Sequence, residues 1–200
     1  MGRLIAVVGN SGVGKTTLVQ ALARAGSFVT GLEQHEERPF QHPFANNLQR
    51  YALPNQIDYL LYRAEQERML RQQAETALID GGLELDFYGF TQQFHHKGYL
   101  TDAEFALCER LYRTLRAALP PPDLFIYLTA PLEVVVRRYE MRGRPLEIAR
   151  VEDLAQLAKL VEDWLAGETA VPVLRVDASE DDYCNHEHLQ TLLNTLAIYD

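Results

Sequence analysis

The sequence predicts an α/β fold in which a central five-stranded parallel sheet is flanked by helices. Short apolar runs alternate with longer segments in which apolar residues recur three or four positions apart. This alternation is typical of parallel strands joined by covering helices. A glycine-rich loop between the first apolar run and the first helical segment is the second indication. The 200 residues, 47% of them hydrophobic and 24% charged, predict a single domain over 1–200 with a sizeable core.

The predicted elements follow one another without a linker or an internal repeat. We expect strands at 3–8, 28–32, 76–79, 123–128 and 171–176. We expect helices at 15–25, 84–97, 102–118, 131–141, 151–166 and 186–197, and a helical region over 46–76 that restarts near Pro54. A polar connection is expected through residue 45. Thr101 and Glu104 have capping-box spacing, which indicates the start of the helix at 102–118.

The most specific signal is the run Gly9-Asn10-Ser11-Gly12-Val13-Gly14-Lys15-Thr16. It matches the phosphate-loop pattern G-x-x-x-x-G-K-[ST] at each fixed position. Glycines let the backbone wrap around phosphate oxygens, and the N-terminus of the following helix attracts anions. We expect Lys15 to reach the β- and γ-phosphates and the Thr16 hydroxyl to ligate Mg²⁺, and we include Thr17 in this nucleotide-binding set. The alternative is a glycine-rich turn without a ligand, but the flanking strand and helix favour a nucleoside triphosphate site.

Carboxylates follow two other predicted strands. Because ligands collect at the carboxyl ends of parallel strands, Glu33 and Asp80 are expected to converge on the phosphate loop. Asp80 is a candidate carboxylate for Mg²⁺, directly or through water. Glu33 is a candidate base that accepts the proton of an attacking hydroxyl. Alternatively, Glu33 is part of a solvated acidic loop with Glu36 and Glu37.

Four arginines stand within the eight residues 137–144. Arg138 and Arg142 are four residues apart and share a helix face, and Arg144 follows Gly143. In a chain of net charge −9, this concentration predicts a phosphate clamp. An exposed basic helix end, stabilised by the helix dipole, is the alternative.

Gln56 and Arg63 are seven residues apart, so they share a face of one helix. With Asp86 they supply an amide, a guanidinium and a carboxylate, which suit the edge of a nucleobase. From the spacing alone, however, a solvated helix face is the simpler interpretation.

The composition excludes several classes of protein. The net charge of −9 argues against a broad nucleic-acid surface. The N-terminus lacks a secretory pattern, and no apolar stretch reaches transmembrane length. Cys108 and Cys184 do not form a disulfide framework, which favours a cytoplasmic location. Possible metal ligands at 184–188 are bunched together, and a polar loop is the favoured interpretation there.

Together these motifs resemble the deoxynucleoside kinase family over nearly the whole chain. The resemblance implies a three-layer P-loop kinase fold and transfer of phosphate from ATP, with Mg²⁺, to the 5′-hydroxyl of a deoxynucleoside. It implies that Glu33 is the catalytic base, and that Gln56 and Arg63 contact the nucleobase. With Asp86, Arg63 favours a purine deoxynucleoside, and deoxycytidine is the second candidate. The resemblance also implies that the protein is a homodimer.

The same resemblance implies an arginine-rich lid at about 138–148 and a loop for the donor adenine. In the lid, Arg138, Arg142 and Arg144 would hold phosphates, with Arg142 stabilising the transferring group beside Lys15. Glu147 would contact the sugar 3′-hydroxyl. Glu180 and Asp181 lie in the stretch that looks like the adenine loop.

Three positions depart from the family pattern. Gly81 stands where an arginine usually follows the Asp80 carboxylate, Ala45 where a tyrosine contacts the sugar, and Gln34 where proline is common. Loss of a positioned cation predicts weaker catalysis, or catalysis through another arginine such as Arg38. Two alternative functions follow: a nucleotide-binding regulatory subunit with impaired catalysis, and a P-loop kinase of another small acceptor such as a nucleoside monophosphate.

Overall fold

A five-stranded parallel sheet forms the centre of the molecule, in the strand order β2-β3-β1-β4-β5. The computed structural model describes residues 2–32, 38–142, 151–180 and 185–199. The strands are β1 (Leu4–Gly9), β2 (Phe28–Gly31), β3 (Thr76–Asp80), β4 (Leu124–Thr129) and β5 (Val173–Asp177). All four strand pairings are parallel. The predicted α/β sheet is therefore confirmed.

Helices cover both faces of the sheet. They are α1 (Lys15–Ala25), α2 (Gln41–Asn46), α3 (Leu48–Leu70), α4 (Gln92–His96), α5 (Asp102–Ala118), α6 (Leu132–Arg142), α7 (Leu154–Gly167) and α8 (His186–Leu196). A π-helical segment (Leu85–Thr91) precedes α4, and 3₁₀ turns lie at Val151–Asp153 and Ala197–Tyr199. Within the described ranges, no helix combines the length and apolarity needed to cross a membrane.

The core is divided by the sheet. Every residue of β1 is buried, and successive side chains point to opposite faces. Ile5 and Val7 pack with residues of α1, while Leu4 and Ala6 pack with residues of α7. A third apolar cluster joins α2, α3, α5 and the π-helical segment. The carboxyl end of β1 is thereby held rigidly at the middle of the molecule, where the phosphate loop begins.

The structure corrects the prediction for residues 38–76. The expected polar connection contains the helix α2, and the chain restarts at Asn47 rather than near Pro54. The Asn47 side chain accepts a hydrogen bond from the Arg50 amide, so it caps α3. Pro54 lies inside the helix. Helix α3 ends at Leu70, earlier than expected.

The capping box predicted at the start of α5 is confirmed. The Glu104 amide donates to Thr101 Oγ1 at 3.3 Å, and the Thr101 amide donates to Glu104 Oε2 at 2.8 Å. The Thr101 amide and hydroxyl both donate to the Glu104 carboxylate, which favours its ionised form and lowers the pKa of Glu104. The local sequence therefore fixes where this helix begins.

Candidate active site

The phosphate loop turns directly from β1 into α1. Gly9, Gly12 and Gly14 have positive φ angles of 144°, 82° and 111°. A Cβ at Gly9 would lie 2.6 Å from the Leu128 carbonyl oxygen, and one at Gly12 would lie 3.1 Å from the Val135 carbonyl oxygen. Other residues would be strained at all three positions, and at Gly9 and Gly12 they would also be crowded.

Side chains of the loop hold its shape. Lys15 Nζ donates to the carbonyl oxygens of Gly9 and Asn10, at 3.2 and 2.9 Å. Asn10 Oδ1 accepts the Ser11 amide, and Asn10 Nδ2 donates to the Leu154 carbonyl oxygen, both at 2.8 Å. The predicted loop is thus preformed and tied to the start of α7.

Thr16 and Asp80 come together as predicted. Thr16 Oγ1 donates to Asp80 Oδ2 at 2.5 Å, and Asp80 is buried at the end of β3. A hydroxyl and a carboxylate are hard oxygen donors, which fit Mg²⁺. No group of three or more His, Cys, Asp and Glu side chains suited to a metal occurs in the part of the chain that the structure describes. The Thr16 and Asp80 oxygens can supply part of the coordination of such an ion.

Arg63 and Asp86 form a buried ion pair. Arg63 Nε lies 2.6 Å from Asp86 Oδ2, and the side chains are 3% and 6% exposed. Gln56, on the same helix face, is also buried, so the solvated-face interpretation is wrong. Gln56 Nε2 donates to the Asp86 carbonyl oxygen at 3.0 Å and to Thr91 Oγ1 at 2.8 Å. The structure therefore brings the three predicted base-reading residues into one hydrogen-bonded group.

Arg138 joins two loops of the predicted nucleotide site. Its Nη1 donates to the carbonyl oxygens of Val13 and Ala178, at 3.4 and 2.5 Å, and its Nη2 donates to that of Ser179 at 3.2 Å. The arginine thus links the phosphate loop to the start of the expected adenine loop. Arg142 and Glu180 are exposed. The Arg142 guanidinium lies 5.9 Å from the centre of the Tyr139 ring.

Several predicted residues lie outside the described residues: Glu33, Gln34, Gly143, Arg144, Glu147 and Asp181. Their roles stay predictions. The first part of the expected lid, through Arg142, belongs to α6.

The departures from the family pattern have local structural correlates. Gly81 has a φ of 91°, and a Cβ there would lie 3.2 Å from Arg63 Nη2. The space beside residue 81 is thus occupied by the Arg63 guanidinium. Arg38, the suggested replacement cation, pairs with Asp58 and lies 4.5 Å from the centre of the Tyr62 ring. Asp58 raises the pKa of Arg38. Ala45 is exposed in α2.

Sequence reasoning missed a second polar layer on α3. The Tyr59 hydroxyl donates to Gln41 Oε1 at 2.8 Å, and Gln66 Nε2 donates to the Leu32 carbonyl oxygen at 3.0 Å. Glu67 is fully buried and pairs with Arg116 of α5. The sequence does contain a signal for this layer. Polar residues stand at positions 56, 59, 63 and 66–67, and this spacing places them along one side of a helix.

Comparison with known proteins identifies the family. Residues 5–197 match the family model described as deoxynucleoside kinase. The chain belongs to the deoxynucleoside kinase family. It is 27% identical over 198 residues to the deoxyadenosine/deoxycytidine kinase of Bacillus subtilis, covering 97% of this chain and 91% of that protein. It is 26% identical over 187 residues to the B. subtilis deoxyguanosine kinase, covering 90% and 88%.

The fold agrees with a solved structure. A deoxyadenosine kinase from M. mycoides, determined with the products dCMP and a flexible dCDP bound, superimposes with a TM-score of 0.85. The match covers 97% of this chain and 98% of that one, at 22% identity. The predicted P-loop kinase fold is confirmed, and the chain is a nucleotide-binding enzyme of the deoxynucleoside kinase class. The regulatory-subunit and nucleoside-monophosphate alternatives are not favoured.

Proposed function

We propose that this kinase transfers the γ-phosphoryl group of ATP to the 5′-hydroxyl of a deoxynucleoside, with a purine as the preferred base. The observation that carries the proposal is the pair of contacts made by the two ends of the short segment 80–86. One end of it, Asp80, contacts Thr16 of the phosphate loop, and the other end, Asp86, pairs with Arg63. A single stretch of chain thus joins a triphosphate site to a site suited to a nucleobase.

The phosphate end supplies positioning and charge. Backbone N–H groups of Gly9–Thr16, the α1 N-terminus and Lys15 would hold the donor phosphates. Thr16 and Asp80 would hold Mg²⁺, which when bound neutralises charge on the phosphates. Arg138, Arg142 and Arg144 would complete the clamp, and Glu180 and Asp181 would border the donor adenine.

The acceptor end supplies recognition. The Arg63–Asp86 pair presents a fixed planar set of donors and acceptors, which favours a base with a complementary edge. Gln56 orients this pair through the Asp86 backbone. Glu147 would bind the sugar 3′-hydroxyl. Glu33 would accept the proton of the 5′-hydroxyl as its oxygen attacks the γ-phosphorus, and ADP would leave with the bridging oxygen.

The decisive experiment measures phosphate transfer from labelled ATP with Mg²⁺ to deoxynucleosides, ribonucleosides and nucleoside monophosphates. We expect transfer to deoxyadenosine or deoxyguanosine to exceed transfer to deoxycytidine, and Lys15→Ala to abolish it. Ser27→Ala, outside the phosphate loop, is the control variant. ATP binding without transfer to any deoxynucleoside would overturn the proposal.

We also propose that the kinase is a cytoplasmic homodimer. Leu107, Leu111 and Leu115 of α5 are half-buried in the single chain, so part of this apolar face stays accessible. Sedimentation at micromolar concentration tests the dimer, and a monomer at that concentration would contradict it.

A further inference from the structure

Three ionisable side chains form a buried cluster outside the phosphate loop, which we call the buried triad: Glu67, Glu84 and Arg116. The side chains are 0%, 6% and 15% exposed. Arg116 Nη2 lies 3.1 Å from each carboxylate oxygen of Glu67, and Arg116 Nε lies 2.7 Å from Glu84 Oε1. The triad therefore joins α3, α5 and the chain that follows β3.

That chain is the segment 80–86, which links the two ends of the active site. Its second and third residues, Gly81 and Gly82, have φ angles of 91° and 106°. Consecutive glycines give the backbone many alternatives and supply no side chain to pack. A segment of this composition needs contacts from elsewhere to hold Asp80 and Asp86 at a fixed separation.

The triad makes those contacts immediately after the glycines. The Leu83 amide donates to Glu67 Oε1 at 3.3 Å, and the next side chain is Glu84, paired with Arg116. Arg116 is itself fixed, because its Nη1 donates to the Pro120 carbonyl oxygen at 2.7 Å. Leu83 is thus anchored to the Arg116 guanidinium through Glu67, and Glu84 is anchored to it directly.

We propose that Arg116, acting through Glu67 and Glu84, is a positioning residue that sets the geometry of segment 80–86 and hence the binding of the acceptor nucleoside. The inference rests on the proposed function for its kinetic consequence. Arg116 belongs to α5, which carries none of the predicted site residues, so its effect passes through the backbone between Asp80 and Asp86.

The charge balance of the triad gives the inference a second consequence. Burial, with a smaller effect of Glu67, raises the pKa of Glu84 to about 8. Arg116 acts in the opposite direction, and Tyr112 and Glu168 also face this carboxyl. Burial also raises the pKa of Glu67, so the two carboxyls lose their protons in succession, and the carboxyl of Glu84 ionises as the pH rises through about 8. Ionisation places a second negative charge beside Glu67, so the KM for the nucleoside should rise at alkaline pH.

The test compares Arg116→Met with Arg113→Met. Arg113 is on the same helix but is 73% exposed, in an i,i+4 pair with Glu109. We expect Arg116→Met to raise the KM for the deoxynucleoside about tenfold or more, because small displacements of binding groups are costly. ATP affinity should stay within about twofold, since the phosphate loop is untouched. Arg113→Met should change neither quantity, and Arg116→Lys should recover part of the loss.

Amide hydrogen exchange across 80–86 tests the positioning directly. We expect faster exchange in Arg116→Met than in Arg113→Met. Equal exchange and equal KM in the two variants would overturn the inference. If the wild-type protein transfers phosphate to no nucleoside, the proposed function fails, and the exchange result alone decides this inference.

Glu84→Gln keeps the inference testable if Arg116→Met does not fold. The amide has nearly the shape of the protonated carboxyl and cannot ionise. We expect the alkaline rise of the wild-type KM to disappear in this variant. The same rise in both proteins would contradict the role of the triad.

Discussion

The proposed phosphate end and the proposed nucleoside end of the site are built in opposite ways. The phosphate end consists of eight contiguous residues, Gly9–Thr16, shaped by positive φ angles and by hydrogen bonds within the loop. The nucleoside end combines Gln56 and Arg63 of α3 with Asp86 of a distant segment, all of them buried. Phosphate is recognised by backbone N–H groups, whereas a base edge requires specific side chains held in place by the tertiary structure.

This difference has an energetic consequence. The phosphate end exposes donors to a ligand at the start of a helix, where anions are favoured. The nucleoside end removes two charges from water, and their attraction offsets that desolvation while both partners are present. Changes at the nucleoside end should therefore affect folding and binding together, while changes at the phosphate end should affect turnover with less effect on folding.

The largest expected effect is that of Glu33→Gln, which removes the group proposed to activate the acceptor. We expect kcat to fall about 10²- to 10⁴-fold, the usual contribution of a general base, with ATP affinity unchanged. Single-turnover transfer and ATP titration measure the two quantities, and Glu37→Gln is the matched control. Near-normal turnover in Glu33→Gln would remove Glu33 from the mechanism.

Arg63→Met should break the nucleoside end and spare the phosphate end. It removes the buried Arg63–Asp86 ion pair, so we expect a loss of about 3–5 kcal/mol in the free energy of unfolding, together with weaker nucleoside binding. Urea unfolding and ATP titration check this result against Arg68→Met, an exposed position on α3. An equal loss of ATP affinity would show that the two ends are not separable.

Gly81→Ala sharpens the comparison at the junction of the two ends. A left-handed φ costs a non-glycine residue about 1–2 kcal/mol, and the new Cβ would lie 3.2 Å from Arg63 Nη2. We expect lower stability and a higher KM for the nucleoside. Gly98→Ala is a close control, because Gly98 has a φ of 70° and nothing within 4 Å of the added Cβ. Gly98→Ala should lower the stability without changing the KM. An equal change of KM in both variants would show that the contact with Arg63 does not cause it.

The smallest effect is expected away from both ends. Thr101→Ala removes the capping box of α5 and should lower the free energy of unfolding by about 1 kcal/mol, without changing the KM for either substrate. Thermal unfolding and steady-state kinetics check it, with Thr114→Ala in the same helix for comparison. A change in KM would show that the start of α5 contributes to the site.

The elements that were predicted correctly are those whose signals are local. The phosphate loop, the capping box at Thr101 and the buried strands each have their cause within about ten residues of chain. The prediction was wrong at α2 and at the restart of α3, where the Asn47 cap decides the boundary. It also treated the Gln56–Arg63 face as solvated, because charged residues on a helix usually are.

The sequence by itself determined the order of the strands and of the helices other than α2, the phosphate loop and the set of chemical groups available to the reaction. The tertiary structure decided which polar residues are buried and which partners they have: Arg63 with Asp86, and Arg116 with Glu67 and Glu84. The physical reason is the separation along the chain between the residues that interact. Backbone conformation and helix capping depend on near neighbours, whereas the environment of a buried charge depends on residues that chain folding brings together from 23 to 49 positions away.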